Sequence, residues 1–143
     1  MKPEILTIVV TYNAMKWLDR CLGSLNESEV PTDVIVIDNG SVDGTCEYIA
    51  GNYPDVLLTR SEENLGFGKA NNVGFRYALE HQYRYVYLMN QDAWVYKDTF
   101  TVLTSAMNSG SSIGILSPMQ MTASGDRPDM RFEKKCPAEA LED

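Results

Sequence analysis

The chain has 143 residues, 44% of them apolar and 22% charged, with 10 glycines and 6 prolines. This supports one folded domain around one core and excludes disordered, collagen-like and disulfide-scaffold classes. Twenty acids against 12 bases leave a formal charge of −8, which argues against a broad electrostatic grip on nucleic acid, so an anionic ligand needs a local site.

In chain order, the first apolar run, Ile5 to Thr11, reads as a strand. Its core, Ile5 to Val10, is too short for the apolar segment of a signal peptide or a membrane span. The expectation is a cytoplasmic protein with no transmembrane segment. Leu18, Cys21, Leu22 and Leu25 then recur at i, i+3, i+4 and i+7, predicting an amphipathic helix over Ala14 to Glu27 with Asn13 as its cap. A second strand is predicted at Val34 to Asp38. Ser41-Val42-Asp43-Gly44-Thr45 supplies turn and cap chemistry before a short helix through Glu47, Tyr48 and Ile49, ended by Gly51 and Pro54.

A third strand is predicted at Val56 to Thr59. Asn64-Leu65-Gly66-Phe67-Gly68 leads from it into a helix whose Ala70, Val73, Gly74, Tyr77 and Ala78 share one face. Tyr85 to Asn90 is the fourth strand candidate. A helix from Asp98 to Asn108 follows, with Phe100, Leu103, Ala106 and Met107 inward, and a fifth strand is predicted at Ile113 to Ser117. From Thr122 the periodicity ends, and the spacing predicts a weakly ordered tail with a short strand at Met130 to Phe132. Residues 1–121 are thus expected to form the domain and 122–143 an irregular tail.

The strand candidates are near-continuously apolar, as strands covered on both faces by helices are. Strand and helix alternate. The fold class is therefore α/β: a mostly parallel, Rossmann-like sheet with helices on both faces and its ligand crevice at the carboxyl ends of the strands. Cys21, Cys46 and Cys136 are odd in number and form no CxxC pair, so they read as reduced thiols.

Small and polar residues crowd four strand ends: Thr11-Tyr12-Asn13, Asp38-Asn39-Gly40-Ser41, Asn64 to Lys69, and Asn90-Gln91-Asp92. Their chemistry suits a nucleotide. Tyr12 offers a flat face for a base, Asp38 and Asn39 offer an acceptor and an amide, and Asp92 offers hard oxygen for Mg²⁺ or Mn²⁺. Each also has a structural reading: Tyr12 packs, Asp38 and Asp43 organise a turn and cap a helix, and Asn64 with Gly66 punctuates a loop. Convergence of all four groups on one edge favours the functional reading.

Other nucleotide and hydrolase patterns fit poorly. Gly66-Phe67-Gly68 is only the first half of a GxGxxG pattern, with no strand-ending acid some 20 residues on. There is no GxxxxGK[ST] and no GxSxG. The single histidine, His81, falls at the end of the third helix, away from the strand ends.

In this order, Thr7-Ile8-Val9-Val10-Thr11-Tyr12-Asn13, Val36 to Thr45 with its Asp38-Asn39-Gly40-Ser41 core, Glu63 to Asn72, and Leu88-Met89-Asn90-Gln91-Asp92 resemble the inverting family 2 glycosyltransferases of GT-A fold. The DNGS and ENxGFGxANN forms look most like the rhamnosyltransferase-like subgroup. The resemblance covers residues 1 to about 120. It implies transfer of a sugar from a UDP- or dTDP-sugar to a glycan or lipid-linked acceptor hydroxyl, in polysaccharide biosynthesis at the inner face of a membrane.

By position, the resemblance implies that Tyr12, flanked by Thr11 and Asn13, lines the base pocket. Asn39, with Asp38 beside it, would contact the pyrimidine base, and Asp92 would hold the divalent cation on the diphosphate. The family's Asp-x-Asp triplet is here Asn90-Gln91-Asp92, so Asn90 would touch ribose or diphosphate instead of metal. The loop carrying Asn64 and Gly66 would border the nucleotide. Lys69 is then either a phosphate partner or a solvated lysine at a helix start.

The same resemblance puts the catalytic base in a later, acceptor-facing portion, so none is assigned here. Glu139, Glu142 and Asp143 are given no such role. Residues 122–143 would be the start of that portion, and the chain is expected to be truncated or short. One rival is a non-catalytic nucleotide-sugar-binding or regulatory module. A nucleotidyltransferase, the other, would need a glycine-rich basic loop after the first strand, where Thr11-Tyr12-Asn13-Ala14 stands.

Overall fold

A computed structural model describes residues 2–109 and 112–135. Four strands, β1 (Ile5–Thr11), β2 (Thr32–Asp38), β3 (Leu57–Arg60) and β4 (Tyr85–Asn90), alternate with α1 (Leu18–Asn26), α2 (Thr45–Asn52) and α3 (Gly66–Glu80); α4 (Thr99–Asn108) and α5 (Met130–Lys135) follow. The sheet order is β3-β2-β1-β4 and every pairing is parallel. Asp38 stands opposite Thr11, and Asn90 opposite Val10. Thus three strand ends finish at one level.

The continuous apolar runs are explained by two cores, one on each face of the sheet. On one face Ile5, Val9, Val34, Val36 and Met89 pack with Leu18, Cys21, Leu22 and Leu25 of α1, Ile49 of α2, and Phe100. On the other, Leu6, Ile8, Ile35 and Ile37 pack against Ala70 and Ala78 of α3. Alternate residues of one strand therefore feed different cores. Gly74 lets α3 lie directly on β1, because a Cβ there would stand 2.6 Å from Ile8 Cδ1.

The chain forms two compact units, Met1–Thr101 and Val102–Asp143. In the second unit, Met121 and Pro128 form an isolated antiparallel bridge, and the turn between them is tied by Thr122 and Ser124 hydroxyls donating to Asp126.

Three local expectations are corrected. Ile113 to Ser117 forms no strand. A short apolar run carries no information about whether an edge is available to pair with, and pairing is what makes a strand. Met130 to Phe132 is helical: Asp129 Oδ1 accepts the N–H groups of Arg131 and Phe132, and Lys134 and Lys135 sit at the helix's carbonyl end. Asn13 does not cap α1, which begins at Leu18 with no side-chain cap. Asn13 instead takes a left-handed backbone with φ of 49°, and its Oδ1 accepts the Val42 N–H at 3.0 Å. Cys21 and Cys46 are buried free thiols. Cys136, Glu139, Glu142 and Asp143 lie outside the described residues.

Candidate functional site

The strand order reverses about β1. The chain builds outward from β1 to β2 to β3, then crosses by α3 to β4 on the other side of β1. Loops leaving β1 and β4 therefore diverge, and a crevice opens at their carboxyl ends. It is an open cleft of about 410 Å³ lined by Val10, Thr11, Tyr12, Asn39, Asn64, Gly66, Phe67, Asn90, Gln91 and Asp92.

Asp38 organises the β2 side of this edge. Its side chain is fully buried, and its carboxylate accepts from the Thr11 hydroxyl at 2.8 Å, the Ser41 N–H at 2.8 Å, the Gly40 N–H at 3.1 Å and the Ser41 hydroxyl. Burial alone would raise its pKa, but the hydrogen bonds from Ser41 and Thr11 hold it below the ordinary carboxylate value. Gly40, with φ of +83°, allows the chain to turn back over this carboxylate.

The loops after β1 and β2 are stitched together from both sides. Asn13 N–H donates to Ser41 Oγ at 2.8 Å, Ala14 N–H to Thr45 Oγ1 at 2.9 Å, and Met15 N–H to Asp43 Oδ2 at 3.1 Å. Asp43 Oδ1 also accepts the Thr45 N–H and hydroxyl at the start of α2. Burial would raise the Asp43 carboxyl too, but the Thr45 and Met15 donors keep it low. Tyr12, half exposed, projects from this braced corner.

From β4, Gln91 reaches across to β1. Its Oε1 accepts the Tyr12 N–H at 2.8 Å and its Nε2 donates to the Tyr12 carbonyl at 3.3 Å. A side-chain amide thereby does what a backbone ladder would do, one residue beyond the last β1–β4 pair. Beneath it the Cys21 thiol contacts the Asn90 carbonyl at 3.8 Å, and burial together with the nearby Asp92 charge pushes that thiol up to about 12. Asn90 and Asp92 are exposed on the cleft.

The third wall is the start of α3. Asn64 Oδ1 accepts the Gly66 N–H at 2.8 Å, closing a turn in which Gly66 takes φ of +71°. Leu65 N–H donates to Asn39 Oδ1 at 3.2 Å, tying this wall to the end of β2. Phe67, 58% exposed, faces the cleft from the first turn.

Of the residues singled out in the sequence, Thr11, Tyr12, Asn39, Asn64, Gly66, Asn90, Gln91 and Asp92 meet at the cleft; Asn13, Asp38 and Lys69 do not line it. Asn13 and Asp38 shape the loops behind it, and Lys69 is exposed on α3. Val10 and Phe67 line the cleft as well, outside the polar strand-end clusters. An aromatic residue between two glycines at a helix start was the available signal for Phe67, since nothing there buries it.

Among the described residues no group of three or more His, Cys, Asp or Glu side chains is placed to hold a metal. The carboxylate on the cleft, Asp92, nevertheless suits Mg²⁺ or Mn²⁺, which take few protein ligands and complete their shell with water and phosphate. Among the described residues no helix is long and apolar enough to cross a membrane.

A doubly covered parallel sheet with a polar cleft at its switch point is the architecture of a nucleotide-binding α/β domain. The profile of glycosyl transferase family 2 matches residues 7–134, and the chain belongs to that family. It is 42% identical over 71 residues to the N-acetylglucosaminyl-diphospho-decaprenol L-rhamnosyltransferase of Mycobacterium tuberculosis, covering 48% of this chain and 23% of that protein. It is 35% identical over 92 residues to the undecaprenyl-phosphate mannosyltransferase of Micrococcus luteus, covering 62% of this chain and 38% of that one. The chain thus spans well under half the length of either relative.

Among solved structures, TarS of S. aureus, residues 1–349, matches with a TM-score of 0.64 at 23% identity over 83% of this chain and 39% of that one, a likeness of fold. The mannosyltransferase PcManGT of Pyrobaculum calidifontis, in complex with GDP-Man and Mn²⁺, matches with the same TM-score at 26% identity, covering 77% of this chain and 34% of that one. The expected GT-A-type α/β fold is thereby established.

Proposed function

We propose that this chain is the donor-binding part of an inverting glycosyltransferase that takes a UDP- or dTDP-sugar and passes the sugar to a hydroxyl of a glycan or lipid-linked acceptor. The observation that carries the reading is the cleft itself: aromatic Tyr12 and Phe67, the Asn39 amide and the Asp92 carboxylate, drawn from four separate segments, face one space of nucleotide size. TarS has been solved in complex with UDP-GlcNAc, which supports a nucleotide-sugar ligand for this fold.

In this reading Tyr12 and Phe67 hold the base and Asn39 reads its edge. Asn64 and Gly66 border the nucleotide, Asn90 hydrogen-bonds to ribose or diphosphate, and Asp92 holds Mg²⁺ or Mn²⁺. The bound cation would offset charge on the departing nucleoside diphosphate. Gln91 acts by position, fixing the backbone of Tyr12. Asp38 and Asn13 act one layer back. No residue here is assigned to deprotonating the acceptor. The setting is polysaccharide synthesis at the cytoplasmic face of a membrane.

A second reading, a nucleotide-sugar-binding module without transfer, is favoured by Asn90 standing where the family's first acid stands. Calorimetry with UDP, dTDP and GDP, with and without Mn²⁺, separates them. Metal-enhanced pyrimidine diphosphate binding that Asp92→Ala removes supports the donor site. Metal-independent binding favours the module, and absence of binding by any of the three overturns both.

A further inference from the structure

Asn39 lies behind the cleft wall with only 5% of its surface exposed, yet it lines the cleft. An asparagine amide has one accepting oxygen and two donating N–H bonds, and which end faces a ligand depends on what holds the other. Here the holder is a backbone N–H. Leu65 donates to Asn39 Oδ1, and an N–H can pair only with the oxygen. The amide is therefore oriented from 26 residues away along the chain. No side-chain N or O atom sealed from solvent lacks a partner among the described residues. Asn39 Nδ2 has no protein partner there, so it opens on the cleft.

We propose that Asn39 reads the nucleobase as a hydrogen-bond donor, giving its NH₂ to a carbonyl oxygen of a pyrimidine, with Leu65 N–H as the group that sets this polarity. The inference rests on the donor-site reading above and adds the direction of the hydrogen bond. Uracil and thymine present two carbonyl oxygens flanking one N–H. A carboxylate at position 39 would accept from that N–H; the oriented amide instead selects a carbonyl. The wall carrying Leu65 also carries Phe67, so one segment both orients the reader and flanks the base.

The test compares UDP, 2-thio-UDP and 4-thio-UDP by calorimetry in Mn²⁺, because sulfur accepts a hydrogen bond poorly while leaving ribose and diphosphate unchanged. For the wild-type chain, one of the two thio analogues is expected to bind about fivefold more weakly than UDP. In Asn39→Asp, which keeps an acceptor for Leu65 N–H but has no N–H of its own, that penalty should vanish. Asn39→Ala replaces it if circular dichroism shows the Asp variant unfolded. Equal affinity for all three ligands in the wild type overturns the proposal, as does a penalty that survives in the variant. No heat with UDP at all is a different result and overturns the donor-site reading with it.

Discussion

The two sides of the cleft are built differently. On the β1–β2 side nearly every polar group is committed: Asp38 accepts from Thr11, Gly40 and Ser41, and Asn13 and Asp43 tie successive N–H groups of neighbouring loops. On the β4 side, Asn90 and Asp92 stand exposed, and only Gln91 is engaged, by the backbone of Tyr12. A buried carboxylate must have its acceptor capacity filled to stay charged, whereas a group meant for a ligand must keep it open. Position at a strand end therefore does not make a residue a ligand contact. The same edge carries one bracing side and one side left for binding.

Breaking the braced side should have the largest effect. Asp38→Ala removes a charge-assisted network and leaves Thr11 and Ser41 donors without their acceptor; it should lower unfolding free energy by about 3 kcal/mol in urea denaturation. The pH profile sharpens this. Because the folded carboxyl lies below its ordinary value of 3.8, its contribution is present above that pH and is lost as the pH falls through the folded value. Wild-type stability should therefore fall below pH 3.8 more steeply than that of Asp38→Asn, and equal slopes would contradict the assignment.

An intermediate effect is expected across the cleft. Gln91→Ala frees the Tyr12 backbone and should cost about 1 kcal/mol of stability while weakening UDP binding several-fold. Loss of stability with unchanged affinity would make Gln91 a brace only. The smallest stability effect belongs to the open side: Asp92→Ala should stay within about 0.5 kcal/mol of wild type while removing the Mn²⁺ dependence of nucleotide binding. A large destabilisation there would end the contrast between the two sides.

Much of the fold was legible in the amino-acid order. Parallel strands buried on both faces require near-continuous apolar runs, and Ile5 to Val10 and Val34 to Ile37 supply them. The alternation with helices then puts their carboxyl ends on one edge, which is why eight of the candidate residues meet in the cleft. The same rule overreached at Ile113 to Ser117, where an apolar run found no pairing. It also missed α5, whose start was marked by Asp129 and whose end by two lysines.

The sequence by itself determined the layered α/β plan and the chemistry available at the cleft, because periodicity and turn residues act over a few positions. Only the tertiary structure decided what each polar group does there. Asn13 turned from cap to bridge because Val42 offered an N–H, 29 residues on. Asp38 became a buried brace because Thr11 faces it across the sheet. The Asn39 amide took its direction from Leu65. An isolated carboxylate or amide can accept in many directions, and the partner that selects one is supplied by a distant part of the chain brought near in folding.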